Sequence, residues 1–146
     1  MIDQCHFSEE FNNVVRSANL IALGLNHEYI GTEHLLLSII DNKDSAACVL
    51  LKHIGASRKS IRRHLLSAIH VSLEEIPIEK LPKTPRAASA IKESGNFAFG
   101  RRAGSVSSAH LLYALAKDRD GIAGQVLMCL GDNPEVVISE LMDRLG

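Results

Sequence analysis

An internal repeat constrains this 146-residue chain more than any other feature. A turn, a polar helix start and an apolar run occupy residues 29–37, and a degenerate copy occupies residues 104–112. The matching histidines, His34 and His110, lie 76 positions apart. The same offset relates, without a gap, Gly24 to Gly100, Leu36 to Leu112, Asp44 to Asp120, Ala47 to Ala123, Leu51 to Leu127, Gly55 to Gly131, and Ile61, Leu65 and Ile69 to Val137, Leu141 and Leu145. Self-similarity of this length predicts two similar structural units that pack together.

Each copy carries the signals of four helices. Apolar residues recur at steps of three and four, and each such run begins at a residue that suits a helix N-terminus. The predicted starts are Ser8, Thr32, Ser45, Ser57, Thr84, Ser108, Gly121 and Asn133. Aromatic residues make up only 4% of the chain, which favours packed helices over a sandwich or a barrel.

These signals predict an all-α fold, a tandem repeat of two four-helix units with about eight helices in total. The units pack as one pseudo-symmetric domain over residues 1–146. Repeat one spans about 7–69, and repeat two spans about 84–145. The residues between them, 70–83, are polar and interrupted by prolines, which indicates a linker.

Composition narrows the classes of function. The formal net charge is −1, from 16 basic and 17 acidic residues, so neither a nucleic-acid partner nor a membrane partner is expected. Three cysteines without CxxC spacing favour a reducing compartment. No apolar run approaches the length of a membrane span, and the N-terminus lacks the pattern of a signal peptide. We therefore expect a cytoplasmic protein.

Several motifs together resemble the N-terminal domain of Clp (Hsp100) AAA+ unfoldases, and most closely the ClpC branch. They are Leu23-Gly24-Leu25-Asn26-His27, Ile30-Gly31-Thr32-Glu33-His34 with the leucines that follow, and Thr84-Pro85-Arg86-Ala87. The similarity runs from about Phe7 to the C-terminus. It implies a domain that binds substrate proteins and adaptor proteins and passes them to an ATPase ring, which threads them into a protease.

The sequence motifs also bear on whether the chain is an enzyme. The sequence has no GxxxxGK[ST] phosphate loop, and no carboxylate pair, triad or metal cluster. We therefore expect a binding domain without catalytic residues, cofactor or metal. Two forms remain open: the N-domain of a longer protein that carries the Clp ATPase ring, or a stand-alone regulator that competes for substrates or delivers them. The isolated domain is expected to be a monomer.

The ClpC resemblance implies one candidate ligand, phosphoarginine on proteins marked for degradation. A helix start at Thr32 offers free backbone N–H groups and the positive end of the helix dipole, which suit a phosphate. The carboxylate of Glu33 can pair with a guanidinium through two parallel hydrogen bonds. In the simpler alternative, Thr32 only caps its helix and Glu33 is a favourable charge in the first turn.

The second copy departs from this pattern. Ser108 can still cap a helix and bind an anion, and Ser107 beside it belongs to the same candidate site, but Ala109 stands where the family has a glutamate and cannot hold a guanidinium. We predict one competent pocket at most, or a domain that keeps only adaptor contacts. The basic loop with Arg101 and Arg102 is a candidate for contacts with phosphate or acidic partner segments.

Other polar groups have structural and functional interpretations. His34 and His110 are metal ligands or bases in one interpretation. In the other, which we favour because no second ligand lies at i+3 or i+4, each ring nitrogen bonds a nearby backbone group and fixes the turn. Cys5-His6 could suggest a nucleophile and a base, but adjacent residues in a tail have no third group to orient them, so we do not expect catalysis there. Cys48 and Cys129 are predicted to be buried small side chains, and Glu9 and Glu10 are charges that suit the helix dipole. We interpret the basic residues Arg58, Lys59, Arg62 and Arg63 as a solvated face rather than a DNA-binding helix, because the total charge is close to neutral.

Overall fold

Eight α-helices build the part of the chain that the computed structural model describes, residues 6–69 and 80–145. They are α1 (Glu9–Gly24), α2 (Thr32–Asp41), α3 (Ala46–Ile54), α4 (Arg58–Ala68), α5 (Pro85–Gly100), α6 (Ser108–Lys117), α7 (Ile122–Leu127) and α8 (Pro134–Leu145), with a 3-10 turn at Met128–Leu130. Each of the first four helices has a counterpart 76 positions later, since α5 to α8 begin at that offset from α1 to α4. The all-α prediction and the tandem repeat are confirmed.

Most helix starts lie where the sequence predicted them. The hydroxyl groups of Ser8, Ser45, Ser57 and Thr84 each accept a hydrogen bond from the backbone N–H three residues later, which satisfies a donor that the helix itself leaves free. Gly55 ends α3 in the left-handed conformation, with φ 86°, where glycine carries no steric penalty.

Two predicted caps are wrong by one residue. Thr32 and Ser108 are the first residues of α2 and α6, and the N-caps are Gly31 and Ser107. The displacement matters because the hydroxyls of Thr32 and Ser108 are then free to point away from their own helices. Each of them bonds the start of a helix in the other repeat.

The core forms around α2 and α6, which contact each other and are surrounded by the other helices. The apolar side chains of these two helices are almost completely buried: Leu35, Leu36, Leu37, Ile39 and Ile40 in α2, and Leu111, Leu112, Ala114, Leu115 and Ala116 in α6. Helices that are apolar nearly all round belong at the centre of a bundle. The other helices bury one stripe each, such as Phe11, Val14, Ala18 and Ala22 in α1.

The two repeats interlock through short stretches of extended chain. Strands β1 (His6–Phe7) and β2 (Ser105–Val106) pair in parallel, and an isolated parallel bridge joins Ile30 to Lys83. The two pairings are equivalent under the 76-residue offset. The start of each repeat thus lies beside the second helix of the other repeat, and this arrangement positions the site described below.

One face of the last helix differs from expectation. The repeat offset matches Val137, Leu141 and Leu145 to Ile61, Leu65 and Ile69 and so predicts that they point inward. In the structure Ile138 is the fully buried apolar side chain of α8, Leu141 is only partly buried and Leu145 is 51% exposed. Although α8 begins in register with α4, it turns the face with Pro134 and Ile138 towards the core. Within the predicted linker, residues 70–79 lie outside the described part of the chain, and Leu81 is buried.

Candidate functional site

A cleft of about 700 Å³ opens where the starts of α2, α5 and α7 meet. We call it the first pocket. The residues that matter for its chemistry are Thr32, Glu33, Arg86, Asp118, Asp120 and Gly121. It combines three carboxylates, one guanidinium and the backbone N–H groups at the N-termini of α2 and α7. Such a pocket suits a ligand that carries both a positive and a negative group.

Backbone donors in the first pocket are available for a ligand. The N–H groups of Thr32 and Glu33 belong to the first turn of α2, where a helix has no internal acceptor, and the N-cap Gly31 has no side chain to serve them. The N–H of Ile122 opens α7 in the same way. Among the residues that the structure describes, these three N–H groups donate to no protein acceptor.

Thr32 joins the two helix starts of the pocket. Its hydroxyl oxygen accepts a hydrogen bond from the N–H of Ala123 at 3.4 Å and so supports the first turn of α7. The alternative of Thr32 as the cap of its own helix is therefore excluded by the geometry. The hydroxyl proton remains available to an acceptor in the pocket.

Two glycines allow side chains to close over the backbone here. The Glu33 carboxylate folds back against Gly31, so that a Cβ atom at this position would collide with it. A Cβ atom at Gly121 would lie 2.9 Å from Arg86 Cδ and 3.0 Å from Asp118 Oδ2. A Cβ atom at either position would displace the side chains that lie against it, so glycine lets the pocket keep this shape.

Arg86 and Asp118 form an ion pair across the pocket, with Nη1 and Oδ1 2.6 Å apart. Both side chains remain partly exposed to solvent. A pair of this kind contributes little to stability, on the order of 0–1 kcal/mol. The guanidinium can therefore turn towards an anionic ligand at small cost, while Asp118 turns towards a cationic one.

An equivalent pair of helix starts, the N-termini of α3 in the first repeat and α6 in the second repeat, forms what we call the second site. The hydroxyl oxygen of Ser108 accepts from the N–H of Ala47 at 2.9 Å, the counterpart of the bond between Thr32 and Ala123. The hydroxyl of Ser107 accepts from the N–H of Ala109 at 3.2 Å. Ser107 and Ser108, the two serines of the predicted ligand set in the second repeat, thus have partners within the protein.

The remaining donors of the second site bind the carboxylate of Glu10. The N–H of Ser108 donates to Glu10 Oε1 at 2.8 Å, and the N–H of Ala46 donates to Oε2 at 3.1 Å. The Ser108 hydroxyl donates to the same carboxylate. A side chain of α1 therefore occupies the position that a bound anion would take.

Sequence reasoning missed the role of Glu10 and assigned it only to the dipole of its own helix. A signal was present, because the residue that corresponds to Glu10 in the second repeat is Arg86, with the opposite charge. Parallel pairing between β1 and β2 is what carries Glu10 to α6, and two-residue strands leave no periodicity in a sequence.

The two repeated histidines have the structural role that we favoured. His34 Nδ1 accepts the N–H of Gly31 at 2.8 Å, and His110 Nδ1 accepts the N–H of Ser107 at 2.9 Å. Because Nδ1 of His34 accepts, its Nε2 carries the proton and donates to Nδ1 of His27 at 2.7 Å. Burial and, secondarily, His27 lower the pKa of His34 to about 4, so the ring is neutral at pH 7.

The basic loop lies apart from the first pocket. Arg101 forms an ion pair with Asp143 at 2.7 Å, and its guanidinium carbon lies 5.2 Å from the centre of the Phe97 ring. Arg102 is exposed and adopts a left-handed backbone, with φ 58°. Neither arginine lines the first pocket, so their role in partner contacts stays a prediction.

The cysteines singled out in the sequence have different surroundings in the structure. Cys48 is buried as predicted, whereas the prediction for Cys129 is wrong: it is exposed, because it lies in the 3-10 turn rather than on the inner face of a helix. Cys5 lies outside the described residues.

On the basic face of α4, Arg58 donates to the carbonyl of Ile40 and Arg62 pairs with an aspartate. Within residues 6–69 and 80–145, no group of three metal-binding side chains comes together.

A family model described as the Clp repeat (R) N-terminal domain matches residues 6–128 and again residues 83–146. The chain is 29% identical over 140 residues to the chloroplastic chaperone protein ClpC1 of Oryza sativa subsp. japonica, and equally to that of Arabidopsis thaliana. The alignment covers 96% of this chain and 15% of each relative. The chain thus spans about 15% of the length of these curated relatives.

Solved structures share the fold. The N-terminal domain of Hsp104 from Candida albicans superimposes with a TM-score of 0.75 at 15% identity, over 94% of this chain and 91% of that domain. The N-terminal domain of ClpD from Arabidopsis thaliana gives 0.72 at 20% identity, over 99% and 97%. A ClpV N-domain in complex with a VipB peptide gives 0.72 at 17% identity, over 92% and 87%. No helix within the described ranges has the length and apolar character to cross a membrane.

Proposed function

The chain belongs to the Clp repeat (R) N-terminal domain family, and from this premise we propose that it is a recognition domain, which binds substrate and adaptor proteins for a Clp-type ATP-dependent unfoldase and protease system. The ATPase ring and the protease are partners in this proposal, since the chain spans only about 15% of its curated relatives. A related N-domain is known in complex with a peptide, which supports a role in binding segments of other proteins.

The first pocket is the proposed recognition site, and its ligand is phosphoarginine on a marked protein. One observation carries this proposal: the Glu10 carboxylate bound at the second site. This carboxylate is an oxyanion held by two backbone N–H groups and one hydroxyl, which supports an oxyanion as the ligand of an equivalent set of donors. The same donors in the first pocket, on Thr32 and Ile122, have no protein acceptor among the described residues. A phosphoryl group supplies the missing oxygens.

Carboxylates supply the other half of the recognition. In our proposal Glu33 and Asp118 bind the guanidinium of the ligand, because carboxylates match its fork of N–H groups. Arg86, released from Asp118, adds positive charge beside the phosphoryl group. A phosphoserine lacks the guanidinium and an unmodified arginine lacks the phosphoryl group, so each would satisfy only half of the pocket.

Calorimetric titration with free phosphoarginine tests the proposal. The wild-type protein should bind it with one site per chain, and Glu33→Ala should weaken binding at least tenfold, as expected when a charged hydrogen-bond partner is lost. Glu140→Ala, which removes an exposed carboxylate from α8, is the matched control and should leave affinity unchanged. Arginine and phosphoserine should bind far more weakly. Equal affinity of the wild type and Glu33→Ala would remove Glu33 from the site.

A further inference from the structure

We propose that Glu10 is an intramolecular occupant of the second site and closes it to phosphoryl ligands, so that the first pocket is the open one of the two equivalent sites. At Glu10 the sequence predicted no more than a charge that suits the dipole of its own helix. This inference rests on the proposed function only for the class of ligand, a phosphoryl group. The closure itself rests on contacts within the protein.

The donors of the second site are fully used. Three backbone N–H groups face it, from Ala46, Ser108 and Ala109; Glu10 accepts from the first two, and the hydroxyl of Ser107 accepts from the third. The buried Ser108 hydroxyl also donates to Glu10. An incoming phosphoryl group would have to displace a carboxylate that carries the same sign of charge and satisfies the same donors.

Two helix dipoles add to the affinity of this contact. The helices that start at the second site, α3 and α6, contain nine and ten residues, and their positive ends both face the carboxylate. An intramolecular ligand also pays no entropy of association, so that a free anion must compete with a group that is always present. The second site should therefore stay closed at ordinary ligand concentrations.

The fold explains why a residue of α1 reaches α6. The N–H of Ser8 donates to the carbonyl of Val106 at 2.9 Å, which fixes the start of α1 beside the start of α6. The N–H of Thr84 donates to the carbonyl of Ile30 at 2.9 Å and fixes α5 beside α2 in the same way. In both repeats, the second residue of the helix so fixed points its side chain at a pair of helix starts, one from each repeat.

That second residue is Glu10 in α1 and Arg86 in α5. A carboxylate accepts hydrogen bonds from N–H groups, whereas a guanidinium has only donors and cannot satisfy them. Arg86 therefore leaves the first pocket open and adds a positive charge to it, while Glu10 fills the second site. The charge of this single residue determines which of the two equivalent sites can accept a phosphoryl ligand.

Amide chemical shifts measured during a titration with inorganic phosphate test this inference. In the wild type, the amides of Ala46 and Ser108 should not shift in a saturable manner. In Glu10→Ala they should shift saturably, with an apparent affinity for phosphate at least about tenfold above the wild type, since one charged acceptor is removed. Glu9→Ala removes the same charge from an exposed neighbouring position and should behave as the wild type does.

The outcomes separate this inference from the proposed function. Shifts at Thr32 and Ile122 report on the first pocket in every variant, so their absence would count against the proposed function alone. Unresponsive Ala46 and Ser108 amides in a folded Glu10→Ala protein would overturn the closure by Glu10. If Glu10→Ala does not fold, Glu10→Gln keeps the shape of the side chain without its charge. Its Ala46 and Ser108 amides should respond to phosphate, and unchanged amides would again contradict the inference.

Discussion

Ser108 Oγ accepts a hydrogen bond from the N–H of Ala47 at 2.9 Å, so a hydroxyl of one repeat supports the first turn of a helix in the other. The reciprocal bond joins Thr32 to Ala123. Each central helix therefore satisfies a donor that its neighbour in the opposite repeat cannot satisfy internally. The two repeats depend on each other in the fold, and neither has a complete set of helix starts by itself.

This exchange predicts the effect of removing one hydroxyl. Ser108→Ala leaves the N–H of Ala47 without an acceptor in a buried position and removes a donor to Glu10, so it should lower the free energy of unfolding by about 1–2 kcal/mol. Ser108→Thr keeps the hydroxyl, as the first repeat does at Thr32, and should lose less. Urea denaturation followed by circular dichroism measures both variants. A loss that is as large for threonine as for alanine would show that packing, and not the hydrogen bond, matters here.

The central position of α6 predicts a larger loss from a core substitution. Leu112 is completely buried, and Leu112→Ala should lower the free energy of unfolding by about 2–5 kcal/mol, because it removes apolar contacts and leaves a cavity. Leu20→Ala, at a position that is 68% exposed in α1, should change it by less than about 0.5 kcal/mol. Thermal unfolding of the two variants compares them. Similar losses would contradict the assignment of α6 to the core.

The repeat, the helices and most of their caps could be predicted from the sequence, because these features depend on local chemistry. The hydroxyls of Ser8, Ser45 and Ser57 act on residues three positions away, and a capping residue can be recognised from its neighbours. The ring nitrogens of the two repeated histidines act over the same distance, and their role could be predicted for the same reason.

Contacts between distant residues could not be predicted. Glu10 lies 98 positions from Ser108, and only the short parallel pairing of β1 with β2 brings them together. The rotation of α8 that buries Ile138 instead of Val137 depends on how the helix packs against its neighbours, which the repeat offset does not encode. Comparison of charges at equivalent positions would have pointed to Glu10 and Arg86, but not to the donors that they meet.

The glycine at the start of α2 leads to a prediction on ligand binding. Gly31 has an ordinary extended backbone, with φ −104°, so alanine is tolerated by the chain itself. Its Cβ atom would, however, displace the Glu33 carboxylate that lies against Gly31. Gly31→Ala should therefore unfold within about 1 kcal/mol of the wild type, because only a flexible side chain must move, yet bind phosphoarginine several-fold more weakly.

Gly24→Ala is the matched control for this prediction, since a Cβ atom there would meet no atom within 4 Å. Calorimetric titration of the two variants with phosphoarginine, beside their thermal unfolding, separates affinity from stability. Unchanged affinity in Gly31→Ala would indicate that the position of Glu33 in the structure is not the one that binds the ligand.

The hydrogen bonds of His34 predict how stability responds to acid. The folded protein holds this ring neutral, with a pKa of about 4, whereas the unfolded chain takes up a proton near the ordinary value of 6.5. The unfolded state therefore binds more protons between these values, so the free energy of unfolding should fall as the pH drops from 6.5 towards 4, by about 2 kcal/mol at pH 5 from this residue.

His34→Gln removes the titrating group while its side-chain oxygen can still accept the N–H of Gly31. In urea denaturation at pH 7.5, 6, 5 and 4.5, this variant should lose less stability on acidification than the wild type. Part of the pH dependence that remains comes from His110, because burial also lowers the pKa of that ring. Identical slopes for the two proteins would show that His34 is not held neutral by the fold.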